Sequence, residues 1–178
     1  GMTQTQPQTN VVVLLGSLRA DSLNRRIAET LQAKAPAGVV VEIAEGLGQI
    51  PFYNEELDGA EVPQAAQTLR ETVAAADRVL LVTPEYNGTM PAVLNNAIDW
   101  LSRPYGDGAI AGKPAGVIGA ALGRYAGTWS RQETRKSIGI AGAKVIESVE
   151  IGIGTGTLGD DGVATAEIAE RLVEAVRC

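Results

Sequence analysis

The chain contains no histidine and a single cysteine, Cys178. Without histidine there is no Ser-His-Asp hydrolysis, no Cys-His nucleophile and no histidine-bearing zinc site. One cysteine makes no disulfide within the chain, no CxxC redox pair and no iron–sulfur cluster. Any redox chemistry must therefore come from a borrowed cofactor. Cations are also in the minority: Lys and Arg number 15 against 21 Asp and Glu, a formal net charge of -6. Nucleic acid and anionic membrane both reward clustered positive charge, so neither is expected as the main partner. No apolar run approaches the roughly 18 residues of a membrane span, and no signal-peptide pattern is present. These absences together predict a cytoplasmic protein.

What remains is the composition of a globular domain. The 178 residues, 45% of them hydrophobic, are enough for one sizeable core. Gly1-Met2 reads as a cloning remnant ahead of the natural initiator, and Thr3 to Asn10 as a loose Gln- and Thr-rich tail. Residues 11–178 then form a single domain. Five apolar, β-branched runs predict strands at Val11–Leu15, Val39–Ile43, Val79–Thr83, Ala115–Ala120 and Lys144–Ile151. Helical spacing joins Ile27, Leu31 and Ala35, then Ala65, Ala66, Leu69, Val73 and Ala76. It also joins Leu94, Ala97, Ile98 and Leu101, with Pro91 as a first helical residue. Further helices are expected from about Thr128 to Ile140 and from Val163 to Val176. Strands alternating with helices imply right-handed crossovers and an α/β helix–sheet–helix sandwich.

Two loops carry the chemistry, each directly after a buried run. The first is Gly16-Ser17-Leu18-Arg19-Ala20-Asp21-Ser22-Leu23-Asn24. A helix starting near Ser22 or Leu23 offers free N–H groups and a partial positive charge to an anion. Arg19, Arg25 and Arg26 crowd that start against the helix dipole, a cost that a bound dianion reverses. Ser17, Ser22 and Asn24 add donors, and Arg19 can give a bidentate contact. A purely structural account makes Ser22 an N-cap and pairs Arg25 with Glu29. The second loop is Thr83-Pro84-Glu85-Tyr86-Asn87-Gly88. Pro84 ends the strand and Asn87-Gly88 turns the chain sharply. Backbone N–H and C=O groups are then free for the edge of a flat heterocycle, with Tyr86 against its face. Taken alone this loop reads as a plain β-to-α connection with Tyr86 at its surface. Together the two loops suggest a ligand with a phosphate at one end and a ring at the other.

Rival sites fail on the residues. There is no GxxxxGK[ST]: Gly112-Lys113 is followed by Pro114, and Asp107 stands where the first Gly belongs. No acidic pair is placed to hold a divalent metal. The GxGxxG from Gly154 to Gly159 has room after it for a helix but not for a further strand, so it reads as a turn.

The segments Gly16 to Arg25, Ile50 to Leu57 and Pro84 to Arg103 together resemble the NAD(P)H-dependent FMN reductase family, which includes chromate and quinone reductases. The likeness runs from Val11 to about Leu172. It implies a flavodoxin-like fold, a five-stranded parallel sheet in the order 2-1-3-4-5, and non-covalent FMN in a homodimer or homotetramer. By the same likeness Ser17, Arg19, Ser22, Leu23 (through its backbone) and Asn24 hold the phosphate. Pro84, Glu85, Tyr86, Asn87 and Gly88 line the ring. Relatives often carry Ser or Thr after the fourth strand, where this chain has Ala120-Ala121, so a backbone contact from Ala121 is expected there instead. Relatives also often have Lys where this chain has Asn95, a position read here as helix surface. The loop with Phe52, the sole Phe, and Tyr53 is placed near a subunit contact.

Hydride transfer from NADPH or NADH to a flavin asks the protein for stacking and orientation, with the bond chemistry carried by the cofactor. No catalytic acid or base and no metal ligand is assigned. Electrons would pass on to a small-molecule acceptor: a quinone, a free flavin, an azo compound or chromate. The alternative is a flavodoxin-like FMN electron carrier without nicotinamide activity. Arg19 and the modest negative charge favour the reductase over the carrier.

Overall fold

The run from Val11 to Leu15 forms most of β1 (Thr9–Leu15) in a computed structural model, which describes residues 8–16, 23–84, 89–121, 128–146 and 151–154. Successive strand side chains point to opposite faces. Val11, Val13 and Leu15 accordingly pack with Ile27 and Leu31 of α1 (Leu23–Lys34). Val12 and Leu14 face a second cluster built on α2 (Gln64–Ala74) and α3 (Ala92–Leu101), through Leu69, Val73, Leu94 and Trp100. A strand covered on both faces needs apolar residues at every position, which is why the alternation of a half-exposed strand is missing.

The chain continues through β2 (Val39–Ala44), β3 (Arg78–Thr83), β4 (Pro114–Ala121) and α4 (Thr128–Ile140). All pairings are parallel and the sheet order is 2-1-3-4-5. Helix α1 covers one face, and Ile138 of α4 joins the cluster of α2 and α3 on the other. The flavodoxin-like sandwich is therefore present. After β1 the chain crosses to β2 on one side and later to β3 on the other. The carboxyl ends of β1 and β3 thus flank the switch point, where open α/β sheets of this order hold their ligands.

Strands β2, β3 and β4 differ from the sequence reading by one residue at one or both ends, and three differences go further. Strand β1 begins at Thr9, because the Thr9 N–H reaches the Gly38 carbonyl at 2.8 Å and the Asn10 N–H reaches Asp77 Oδ2 at 2.7 Å. The single strand expected over Lys144–Ile151 is two segments, β5 (Lys144–Val145) and β6 (Ile151–Gly154), both paired to β4. Between those pairings β4 advances from Ala115 to Ile118 while the edge chain advances from Val145 to Ile151, so one register cannot serve both. Pro91 caps α3 rather than opening it: its ψ of 152° is extended, and its carbonyl accepts from Leu94 N–H at 3.1 Å. The helix expected at Val163–Val176 and most of the GxGxxG lie outside the described residues.

Lys113, part of the rejected phosphate-loop match, has a structural role. Its Nζ donates to the carbonyls of Ala74 (2.8 Å) and Ala76 (2.6 Å), closing the C-terminal end of α2. A cation at the negative end of a helix is stabilising. Lys113 also directly precedes β4, so it lies at the amino edge of the sheet, opposite the ligand edge.

Segment 50–58 is clamped onto α3. Buried Asn96 accepts from Tyr53 N–H (2.8 Å) and donates to the carbonyls of Ile50 (3.2 Å) and Pro51 (3.1 Å). The Trp100 indole N–H donates to the Pro51 carbonyl at 2.8 Å. Arg70 holds Asp58 through two bonds of 2.7 and 2.9 Å and also donates to the Trp100 carbonyl. Tyr53 donates its hydroxyl to Asp58 and sets its ring edge-on to Trp100, with 4.9 Å between centroids. The Arg70 bond, reinforced by Tyr53, keeps the Asp58 carboxyl below its ordinary pKa despite burial.

Candidate cofactor site

The two chemistry-bearing loops start side by side because β1 and β3 end in register, with Leu15 opposite Val82. Gly16 continues the pairing, its N–H donating to the Val82 carbonyl at 2.8 Å. A Cβ on Gly16 would stand 3.1 Å from both the Val82 oxygen and Pro84 Cδ, close enough that the neighbouring chain would have to give by a few tenths of an ångström. Glycine is what lets the first loop leave the sheet in contact with the second.

On the first side, Leu23 opens α1 and Asn24 follows it. Asn24 is 5% exposed, yet its buried Oδ1 has no hydrogen-bond partner. An orphaned buried amide is costly unless something fills the vacancy. The oxygen and nitrogen of a carboxamide exchange on rotation about χ2, so the same side chain can present N–H donors to a phosphate oxygen. Glu29, the partner expected from helical spacing, adds an electrostatic attraction to Arg25, but the stronger partner lies elsewhere. Arg25 reaches across to Glu45, just past β2, with bonds of 3.2 and 3.1 Å. That bond raises the guanidinium pKa further, and one of the three cations at the helix start is thereby committed to a carboxylate. Arg25 and Glu45 also line a cavity of about 190 Å³ at the carboxyl ends of β1 and β2. Ser17, Arg19 and Ser22 lie outside the described residues.

On the second side, Thr83 and Pro84 are buried where β3 ends. The Pro84 carbonyl lies 2.7 Å from the Thr83 hydroxyl and 2.7 Å from the Ser130 hydroxyl of α4. The two hydroxyls are 2.9 Å apart and both residues are fully buried. Nothing in the sequence marked this pair; the only sign is a Thr and a Ser at otherwise apolar, inward positions. Ala121 is the last residue of β4, opposite Gly154 of β6. Glu85, Tyr86, Asn87 and Gly88 lie outside the described residues.

The 50–58 segment divides in two. Phe52 is 77% exposed, whereas Tyr53 is half-buried against Trp100, with Arg103 over its ring at 5.7 Å. Tyr53 is therefore engaged within its own chain, and of the pair only Phe52 is available to a neighbour. Asn95 is exposed on α3, as its position in the sequence suggested. Among the described residues there is no cluster of acidic or cysteine side chains able to hold a metal ion, and no helix long and apolar enough to cross a membrane.

The chain matches the family model for NADPH-dependent FMN reductase over residues 9–157. A quinone reductase of Pseudomonas putida is 40% identical over 129 residues, which are 72% of this chain and 69% of that protein. An NAD(P)H-dependent FMN reductase of Pseudomonas aeruginosa is 39% identical over 128 residues, 72% of this chain and 68% of that one. Among solved structures, FerB of Paracoccus denitrificans, a flavoenzyme NAD(P)H:(acceptor) oxidoreductase, superposes with a TM-score of 0.82 at 31% identity, covering 95% of this chain and 97% of its own.

Proposed function

The chain belongs to the NADPH-dependent FMN reductase family, and we propose that it carries electrons from NAD(P)H through FMN to a quinone-type acceptor. The observation that carries this reading is the switch-point site, with an orphaned buried amide at a helix start on one side and a tethered strand end on the other. The residues present fit FMN: the Asn24 carboxamide, turned about χ2, can give N–H donors to a phosphate at the start of α1, and Gly16 joins the two loop starts through its bond to Val82. The protein is an FMN-dependent oxidoreductase, and the electron-carrier alternative gains no support from its relatives. When bound, FMN supplies the hydride chemistry. The protein binds, orients and leaves one ring face open.

In this proposal Ser17, Arg19, Ser22, the Leu23 backbone and Asn24 take the phosphate. Pro84, Glu85, Tyr86, Asn87, Gly88 and the Ala121 backbone take the ring. The quinone is favoured as acceptor because it is what the Pseudomonas putida relative is named for. A flat acceptor can also use the same ring face as the nicotinamide, in turn. Under anaerobic conditions NADPH or NADH should bleach the bound flavin, and a quinone should restore its colour, with ping-pong steady-state kinetics. Flavin that binds but stays oxidised with either nicotinamide would end the reductase reading.

We propose further that the protein is a homodimer or homotetramer in the cytoplasm. The lone cysteine supports a reducing compartment. Phe52, Tyr105, Trp129 and Ile140 are large side chains left exposed, which supports self-association. Light scattering at micromolar concentration tests it, and a monodisperse monomer would remove the claim.

A further inference from the structure

The Pro84 carbonyl has a hydroxyl donor within reach of each of its two lone pairs. Three close oxygen contacts join Thr83 Oγ1, Ser130 Oγ and the Pro84 oxygen, at 2.7, 2.7 and 2.9 Å. The two hydroxyls own two protons between them, so at most two of the contacts are hydrogen bonds at once. Either both hydroxyls donate to the carbonyl, or one donates to the other, which donates to the carbonyl. In both arrangements the carbonyl is held inward by α4, in a pocket from which water is excluded. A peptide unit is planar, so fixing its carbonyl fixes the whole unit. This particular unit is the one on which the ring loop leaves β3.

The surroundings show that the arrangement is not generic helix packing. One turn further along the same buried side of α4, Thr134 is equally buried, and its Oγ1 has no partner at all. Ser130, in the first turn of α4, reaches out of its helix to another element, 46 residues away in sequence. The contact ties the start of α4, which follows β4, to the end of β3. It thereby joins the carboxyl ends of two neighbouring strands at the ligand edge of the sheet.

We propose that Ser130, with Thr83, is a positioning residue for the flavin ring: it fixes the Pro84 carbonyl at the carboxyl end of β3, where the proposed ring contacts begin. The inference rests on the FMN reading. It assigns to α4 a part in cofactor binding that its side chains do not take directly.

The test compares three variants of the full chain: Ser130→Ala, the near-isosteric Thr83→Val, and Thr134→Val as a control on the same helix. Affinity for FMN and for riboflavin is read by flavin fluorescence, and the midpoint potential of the bound flavin by dye equilibration. Ser130→Ala and Thr83→Val should each weaken FMN and riboflavin alike, by about 3- to 10-fold, and should shift the potential. Thr134→Val should leave all three readings at their wild-type values. Thermal melts without flavin identify any variant that fails to fold, and the other of the two then carries the test. Unchanged affinities and potential in a folded variant would overturn the inference, as would a loss confined to FMN. A wild-type protein that takes up no flavin would overturn the FMN reading itself.

Discussion

The two sides of the switch point are opposite in their hydrogen-bond accounts. At the start of α1 the Asn24 carboxamide oxygen is buried and short of a partner. At the end of β3 the Pro84 carbonyl has two hydroxyl donors within reach, one for each of its lone pairs. A deficit leaves room for a ligand to complete a site, whereas a filled account is one that the protein completes itself. In the proposed reading the phosphate side therefore waits for a partner, while the ring side is set in advance. Pre-setting the side that governs ring geometry is sensible, because hydride transfer depends on orientation far more than phosphate anchoring does.

The comparison can be broken most strongly at Arg19. Arg19→Ala removes a charge-assisted contact worth about 1.5–3 kcal/mol, so FMN affinity should fall roughly 10- to 150-fold in a fluorescence titration while riboflavin affinity holds. An equal loss for both ligands would show that Arg19 serves the fold. Asp58 offers a contrast outside the site. Asp58→Asn breaks the Arg70 pair and should cost about 1.5–3 kcal/mol of stability in urea unfolding, with little effect on flavin affinity. Because the folded-state pKa of Asp58 is lowered, its contribution is fully present above the ordinary carboxylate pKa of about 4. It is lost as pH falls through the lower folded value, so the variant and wild type should converge in strong acid. Asn24 gives the smallest effect and the sharpest sign. Asn24→Leu removes an orphaned amide, so the flavin-free protein should melt about 2–4 °C higher per kcal/mol relieved. FMN affinity should drop in the same variant. A variant less stable without flavin would mean that Asn24 is satisfied by the protein alone.

These residues also show how far the sequence could be read. Strand positions were legible because both faces of the sheet are covered, leaving unbroken apolar runs such as Val11–Leu15 and Val79–Val82. Helix α4 was legible to the residue, its bounds at Thr128 and Ile140 coinciding with those expected. The break between β5 and β6 was not, since residues 144–151 alternate plausibly as one strand and only the pairing with β4 shows two registers. The Arg25–Glu45 pair was missed for a related reason. Helical spacing makes Glu29 the neighbour, and nothing local announces a carboxylate delivered by β2. The Thr83–Ser130 contact is the extreme case, joining residues 47 positions apart that each look like ordinary loop-end or helix-surface polar residues. The proposed motif residues rest on kinship, whereas the residues that support the site depend on tertiary neighbours.

The divided edge of the sheet has a consequence for the protein's solubility. An edge strand is a template on which another chain's strand can grow, and the danger rises with the length of backbone offered in one register. Here that edge presents Lys144 and Val145, then Ile151 to Gly154 in a shifted frame. Neither piece is long enough to hold a foreign strand firmly, and a strand aligned with one is misaligned with the other. Among the described residues, the all-parallel apolar sheet thus meets this edge in two short pieces out of register with each other, a poor template for a second sheet.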